Sequence, residues 1–125
     1  MNDETIEQEI QAKGKTAPRV TPADIEANIA SEHYFTAGQG SQAARNADAF
    51  STYSPMPAGV PNKESLDLLT FCVLVLRNGF TVTGESACAS PENFDAEIGR
   101  KVARQNAVQK MWPLMGYALK ERLGA

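Results

Sequence analysis

Cysteine and histidine are scarce in this chain: among 125 residues there are two cysteines, Cys72 and Cys88, and a single histidine, His33. No CxxC or HxxxH spacing joins them, so the sequence offers no metal-ligand set. His33 reads as a packed or solvated helix-end residue. No Gly-rich phosphate loop, GxSxG elbow or catalytic triad is present, which leaves an enzyme without machinery and a cofactor without a site. Long apolar runs are missing as well. None reaches the roughly 18 to 20 residues of a membrane span, and the opening MNDETIEQEI is acidic where a signal peptide is basic and then apolar. Excess positive charge is also lacking: the net charge is -3 and the pI about 5.1, which argues against duplex nucleic acid as the main partner. These absences describe a non-catalytic protein, free of membrane, in the cytoplasm.

What is present concentrates between Leu68 and Leu123. Asn78-Gly79 lies between two alternating, β-branched segments, and both residues accept the positive φ of a type I′ two-residue turn. That turn sets Arg77 opposite Phe80, Leu76 opposite Thr81, Val75 opposite Val82 and Val73 opposite Gly84. One sheet face then shows Phe71, Val73, Val75, Phe80, Val82 and Ser86, a core face. The other shows Cys72, Leu74 and Leu76 against Thr81, Thr83 and Glu85. Cys72 and Cys88 point to opposite faces in this register, so both read as buried thiols without a disulfide. Apolar residues on both faces require cover on both, either from the N-terminal half or from another subunit, and such a patch favours self-association.

Residues 1–20 are polar and read as a disordered leader or one or two frayed helical turns, ahead of a single domain at 21–125. Thr21-Pro22-Ala23-Asp24 starts a helix, with Ile25 and Ile29 on one face, that ends around Glu32 to Tyr34. Tyr34 and Phe35 anchor it to the core. The composition of residues 36–62, rich in Gly, Ser, Ala, Asn and Pro, predicts a long loop in which Phe50, Tyr53 and Met56 pin the chain to the body or to a ligand. Gly84 marks a bulge or a place where something approaches the strand backbone closely. Ser90 or Asn93 caps a helix from Phe94 to Trp112, with Phe94, Ile98, Val102, Ala103, Val108, Met111 and Trp112 on its apolar face. Pro113 ends or kinks it, and a second helical segment spans Leu114 to Leu123. The fold class is α+β: an antiparallel hairpin sheet, an N-terminal helix and a long C-terminal helix broken at a proline, in an oligomer.

Arg100 and Arg104 stand one turn apart on the polar side of the long helix, with Asn106 and Lys110 beyond. They make either a solvated face, with Glu97 paired to Lys101, or an anion site. In the second reading the amides around Asn93, the two arginines and the polar strand residues Thr83, Glu85 and Ser86 converge on a phosphate, and Phe80 or Tyr117 stacks on a base.

The segments NGFTVTGESAC, PENFDAEIGRKVARQNA and WPLMGYALKERL, within residues 66–123, resemble the phage family first described from phage N4 and Sf6 genes, and TPADIEANI followed by Tyr34-Phe35 resembles its N-terminal part. That family includes the Thoeris anti-defence type one proteins. The resemblance implies a phage sponge in the bacterial host's cytoplasm that binds a cyclic ADP-ribose isomer, or a cyclic oligonucleotide, without cleaving it. It also implies a homo-oligomer, dimer or hexamer, that blocks Thoeris- or CBASS-type immunity. Phe80, Thr83, Glu85, Ser86, Asn93, Arg100 and Arg104 lie in the matching segments and are the candidate ligand contacts. The alternative is a phage structural or host-interaction protein with no small-molecule ligand.

Overall fold

The computed structural model describes residues 2–15, 17–48 and 62–124. In chain order these form α1 (Asp3–Ala12), α2 (Pro22–Ala27), β1 (Ile29–Thr36), α3 (Ala37–Ala47), α4 (Asn62–Asp67), β2 (Leu69–Leu76), β3 (Thr81–Ala87), a 3-10 turn at Pro91–Asn93 and α5 (Ala96–Gly124). The architecture is α+β. One antiparallel sheet, ordered β1-β2-β3, is crossed on one face by α5, and α2 closes the end of that layer.

The hairpin forms where Asn78-Gly79 predicts it, with a different turn. Of the two turn residues only Gly79 takes a positive φ, at 89°, and no described non-glycine residue does. The Asn78 carboxamide oxygen instead accepts the Phe80 N–H at 2.9 Å, while Leu76 and Phe80 pair across the three residues Arg77-Asn78-Gly79. The register therefore moves by one, with Val75 opposite Thr81, Leu74 opposite Val82 and Cys72 opposite Gly84. Because side chains alternate, that one step exchanges the faces of β2 relative to β3. Cys72, Leu74 and Leu76 now join Val82 beneath α5, all buried, while Phe71, Val73 and Val75 share the outer face with Thr81, Thr83 and Glu85. Phe80, expected in the core, is 55% exposed. The observed register segregates the faces better than the expected one, because every large apolar residue of β2 on the helix side meets an apolar or small partner.

Two elements replace what the sequence presents as helix and loop. The Thr21 helix, capped by reciprocal Thr21–Asp24 hydrogen bonds, stops at Ala27, and residues 29–36 are β1, paired along β2 from Ile29–Leu76 to Thr36–Thr70 with a bulge before Ser31. His33 is thus an exposed strand residue. Within 36–62, expected to be loop, Thr36 and Gln39 form a capping box and α3 follows. Phe50, Tyr53 and Met56 lie outside the described residues. The leader contains α1, a ten-residue helix capped by Asn2.

α5 is continuous through Pro113, and both Pro113 and Gln109, whose carbonyl the proline leaves without an N–H donor, are exposed residues. Its cap is Asp95, which accepts the Ile98 N–H at 3.0 Å, and not Ser90 or Asn93. Its buried stripe is Gly99, Ala103, Ala107 and Met111; Ile98 is 59% exposed and Val102 is on the surface too. Small residues line the contact because helix and strand come close. A Cβ on Gly84 would collide with the Ala103 carbonyl and the Ala107 amide and Cα. The close approach that Gly84 marks in the sequence is α5 itself. Around it Ile25, Leu74, Met111 and Cys72 are fully buried, each large side chain stabilising the fold by about 1.5–3 kcal/mol.

Gly84→Ala should therefore lower stability by about 3 kcal/mol, because rigid helix backbone has to move. Gly116→Ala, where a Cβ meets nothing within 4 Å, should raise stability by up to about 1 kcal/mol through helix propensity. Urea denaturation of the two variants reads both signs.

Candidate functional site

Where β1 leaves the sheet and α5 begins, the sequence of turns opens a cleft of about 300 Å³. Tyr34, Phe35 and Thr36 from the end of β1 and Gln39 from α3 make one wall; Phe94, just after the 3-10 turn, and Ala96 and Arg100 from the start of α5 make the other. Thr70, the first buried residue of β2, forms the floor. The capping box places Gln39 beside Thr36, and Phe35 is held by a tilted ring contact with Phe71 at 5.6 Å between centroids.

Two features give the cleft binding chemistry. Thr70 is 3% exposed, and its hydroxyl is the one buried side-chain polar atom with no hydrogen-bond partner among the described residues. A buried polar group left unpaired costs about 1–3 kcal/mol, so its position asks for an explanation. Arg100 is exposed and, among the described residues, has no hydrogen bond or ion pair. It presents a permanently charged fork of donors to the cleft mouth. Among the described residues, no carboxylate, imidazole, thiol or amine lines the cleft.

Arg104, one turn further along α5, is committed elsewhere. Its guanidinium grips Glu26 of α2 with both terminal nitrogens, at 3.1 and 2.7 Å, and Glu32 of β1 through Nε at 2.8 Å. The Tyr34 hydroxyl donates to the same Glu32 carboxylate at 2.6 Å. The Arg104 guanidinium first, and the Tyr34 hydroxyl second, hold the Glu32 carboxyl below its ordinary pKa. Arg104 is thus a tie between α2, β1 and α5, already neutralised by two carboxylates.

The other expected contacts do not converge. Thr83 and Glu85 sit on the outer face of the sheet, away from α5, within 3.4 Å of each other. Ser86 lies on the helix side, opposite Thr70 in the neighbouring strand. Asn93 is exposed in the 3-10 turn, its N–H bonded to the Ser90 carbonyl. Phe80 and Tyr117 are exposed toward the other end of α5, with Phe80 at the hairpin turn. Asn106 bonds the Glu85 carbonyl at 2.7 Å, and Lys101 pairs with Glu97 at 3.3 Å, as a solvated helix face would have it. Of the seven candidates only Arg100 lines the cleft. Sequence reading missed its partners, although Thr36-Ala37-Gly38-Gln39 is a legible capping box and Thr70 is a hydroxyl in an apolar strand.

A larger cleft, of about 790 Å³, lies between α1, α2 and α5. Arg104 and Glu26 on its rim pair with each other, and Asp3 and Glu4 outweigh Lys101, so it disfavours anions. Among the described residues no helix is long and apolar enough to cross a membrane, and no group of three or more His, Cys, Asp or Glu residues is placed to hold a metal.

The model of the phage protein (N4 Gp49/phage Sf6 gene 66) family matches residues 20–123. The chain belongs to this family. No curated protein and no solved structure matches it. In this phage protein the family region takes in the Arg100 cleft, the Arg104 tie and the whole sheet, and leaves α1 outside.

Arg104→Gln should lower stability by about 1–2 kcal/mol at neutral pH, a figure reduced for the partial exposure of its partners. Glu32 has a folded pKa below its unfolded one. Its contribution is therefore complete above the ordinary carboxylate pKa of about 4.3 and is lost as pH falls through the lowered folded value. The gap between wild type and Arg104→Gln should stay constant from pH 7 to about 5 and close in acid. Denaturation midpoints across pH measure it, with Arg100→Gln as a control that leaves stability unchanged.

Proposed function

We propose that this phage protein is a non-catalytic trap that holds a cyclic ADP-ribose-type nucleotide, or a related cyclic oligonucleotide, in the Arg100 cleft. By withdrawing that signal it blocks Thoeris- or CBASS-type immunity in the host. The observation that carries this reading is the pairing of an uncommitted arginine with a buried, unpaired Thr70 hydroxyl in a cleft walled by aromatic rings.

In this reading the Arg100 fork takes a pyrophosphate oxygen pair, an interaction that is strong because donor and acceptor are both charged. The Thr36 hydroxyl and the Gln39 amide supply neutral donors at the surface of the cleft, the Thr70 hydroxyl lies buried at its floor, and the faces of Phe35 or Phe94 take an adenine ring. A cleft of about 300 Å³ encloses a phosphate and one ring of such a ligand. Catalysis is not part of the reading: an arginine cannot act as a base near neutral pH, and the other described residues lining the cleft offer no carboxylate or imidazole to accept a proton. The ligand leaves unchanged.

A second reading, a phage structural or host-interaction protein, draws on the outer sheet face, where Phe71, Val73 and Val75 are only half-buried. Thermal shift against cyclic ADP-ribose isomers and cyclic di- and trinucleotides separates the two. A true ligand at a hundredfold excess over its Kd stabilises by about 2.7 kcal/mol, a rise of several degrees, and should be recovered intact after heat denaturation. Arg100→Glu should abolish the shift with the fold retained. Thr70→Val should raise the Tm of the free protein, because an unpaired hydroxyl becomes a methyl, yet weaken the ligand by tenfold or more. No shift with any nucleotide would turn the assignment to the outer sheet face and a protein partner.

A further inference from the structure

α1 rests on the family unit rather than in it. It precedes the family match, which starts at Val20, and none of its residues is buried. What it touches is specific. The Trp112 indole donates to the Asp3 carboxylate at 3.1 Å, and Arg19 meets Glu7 through two parallel hydrogen bonds of 2.6 Å each. Between these anchors Ile6 and Ile10 lie over a depression of about 240 Å³ formed by Val20, Pro22, Gln109 and Trp112. Asp3, Ile6, Glu7 and Ile10 are positions i, i+3, i+4 and i+7 of a helix. This is the pattern by which a helix presents one face to a groove.

From this we infer that the surface between the start of α2 and the middle of α5 is a helix-docking groove, and that α1 is its displaceable occupant. The partner it fits is an amphipathic helix of another protein, with carboxylates at i and i+4 and apolar side chains at i+3 and i+7. Charge complementarity sets the carboxylates: the groove offers one guanidinium and one indole N–H, spaced to match one helical turn. The apolar positions are set by Trp112 and Val20, which stay only partly buried with α1 in place.

Displacement is possible because α1 is anchored at two polar points and buries little apolar surface. Ile6 remains 42% exposed, so the helix gains little from burial, and a ten-residue helix is marginal by itself. Its advantage is the short link to Arg19, which keeps its effective concentration in the millimolar range. A longer partner with larger apolar residues at i+3 and i+7 exceeds that. The groove lies on a different part of α5 from the Arg100 cleft, so the inference does not depend on the nucleotide reading.

Trp112 is the chain's single tryptophan and reports directly on the groove. The 125-residue chain carrying Asp3→Ala and Glu7→Ala, with every groove residue intact, is titrated with a synthetic peptide of residues 2–13. The peptide should change Trp112 emission saturably, and the unsubstituted chain should need at least roughly tenfold more of it, since its own α1 competes. A peptide with Glu7→Arg should fail on this chain and succeed on one that also carries Arg19→Glu. Circular dichroism checks that each chain is folded. Absence of a saturable change in the α1-weakened chain, or an equal response to the charge-reversed peptide, would overturn the groove. Emission that varies with protein concentration in the unsubstituted chain, without peptide, would overturn the foreign partner and assign the groove to α1 of a second copy.

Discussion

The approach of α5 to Gly84 is the constraint on which the rest of the structure depends. Because no side chain stands between strand and helix at that point, the Ala103 and Ala107 backbone lies directly on the sheet. A continuous helix pinned at one place has its neighbouring contacts prescribed. One turn toward the N-terminus, Gly99 lies over Thr70 with room for little more than a hydrogen, and Arg100 reaches the mouth of the cleft. One turn toward the C-terminus, Met111 fills the space above the apolar side of β2, and Trp112 turns to the groove beneath α1. Small residues at 99, 103 and 107 thus do two jobs at once: they permit the close approach, and they determine which polar side chains stand on either flank.

How much of this was legible in the sequence differs element by element, for physical reasons. The hairpin was legible because Asn-Gly has few conformational uses between two β-branched runs. Its register was not, because Asn78 bonding Phe80 and Asn78 taking a positive φ are alternatives that the same dipeptide supports. β1 was hidden by Ile25 and Ile29, which have helical spacing although one ends up in a helix and the other in a strand. The pairing of 29–36 along β2 overrides a local preference that six residues of α2 are too few to enforce. The apolar face of α5 was misread toward its large residues. A helix lying on a glycine buries alanines, and the bulky Ile98 and Val102 face outward.

The site shows the same limit more sharply. Arg100 and Arg104 have the same chemistry and are four residues apart, and from the sequence they form one pair. In the fold one is gripped by Glu26 and Glu32, from two elements far away in the chain, and the other is not. What distinguishes them is not on α5 but in the positions of α2 and β1, so no reading of the helix alone could separate a structural arginine from an available one. Once Arg104 is committed, an anion site built on both arginines loses half its charge. The available donor set moves to where Arg100 points, toward β1 and α3 and away from Thr83 and Glu85.

That relocation also accounts for the unpaired Thr70 hydroxyl. An apolar residue there would complete the helix side of β2, which is otherwise Cys72, Leu74 and Leu76, and would remove the cost of an unsatisfied buried group. The hydroxyl stands at the point where that face meets the Arg100 cleft, so under the proposed function a bound ligand would be its missing partner. The same logic does not apply to Arg104, whose partners are all internal and whose removal would leave carboxylates unpaired. A single helical turn along α5 therefore separates two situations: Arg104, facing α2 and β1, ties three elements together, and Arg100, at the cleft, makes no ion pair among the described residues, which is the condition the proposed trap requires.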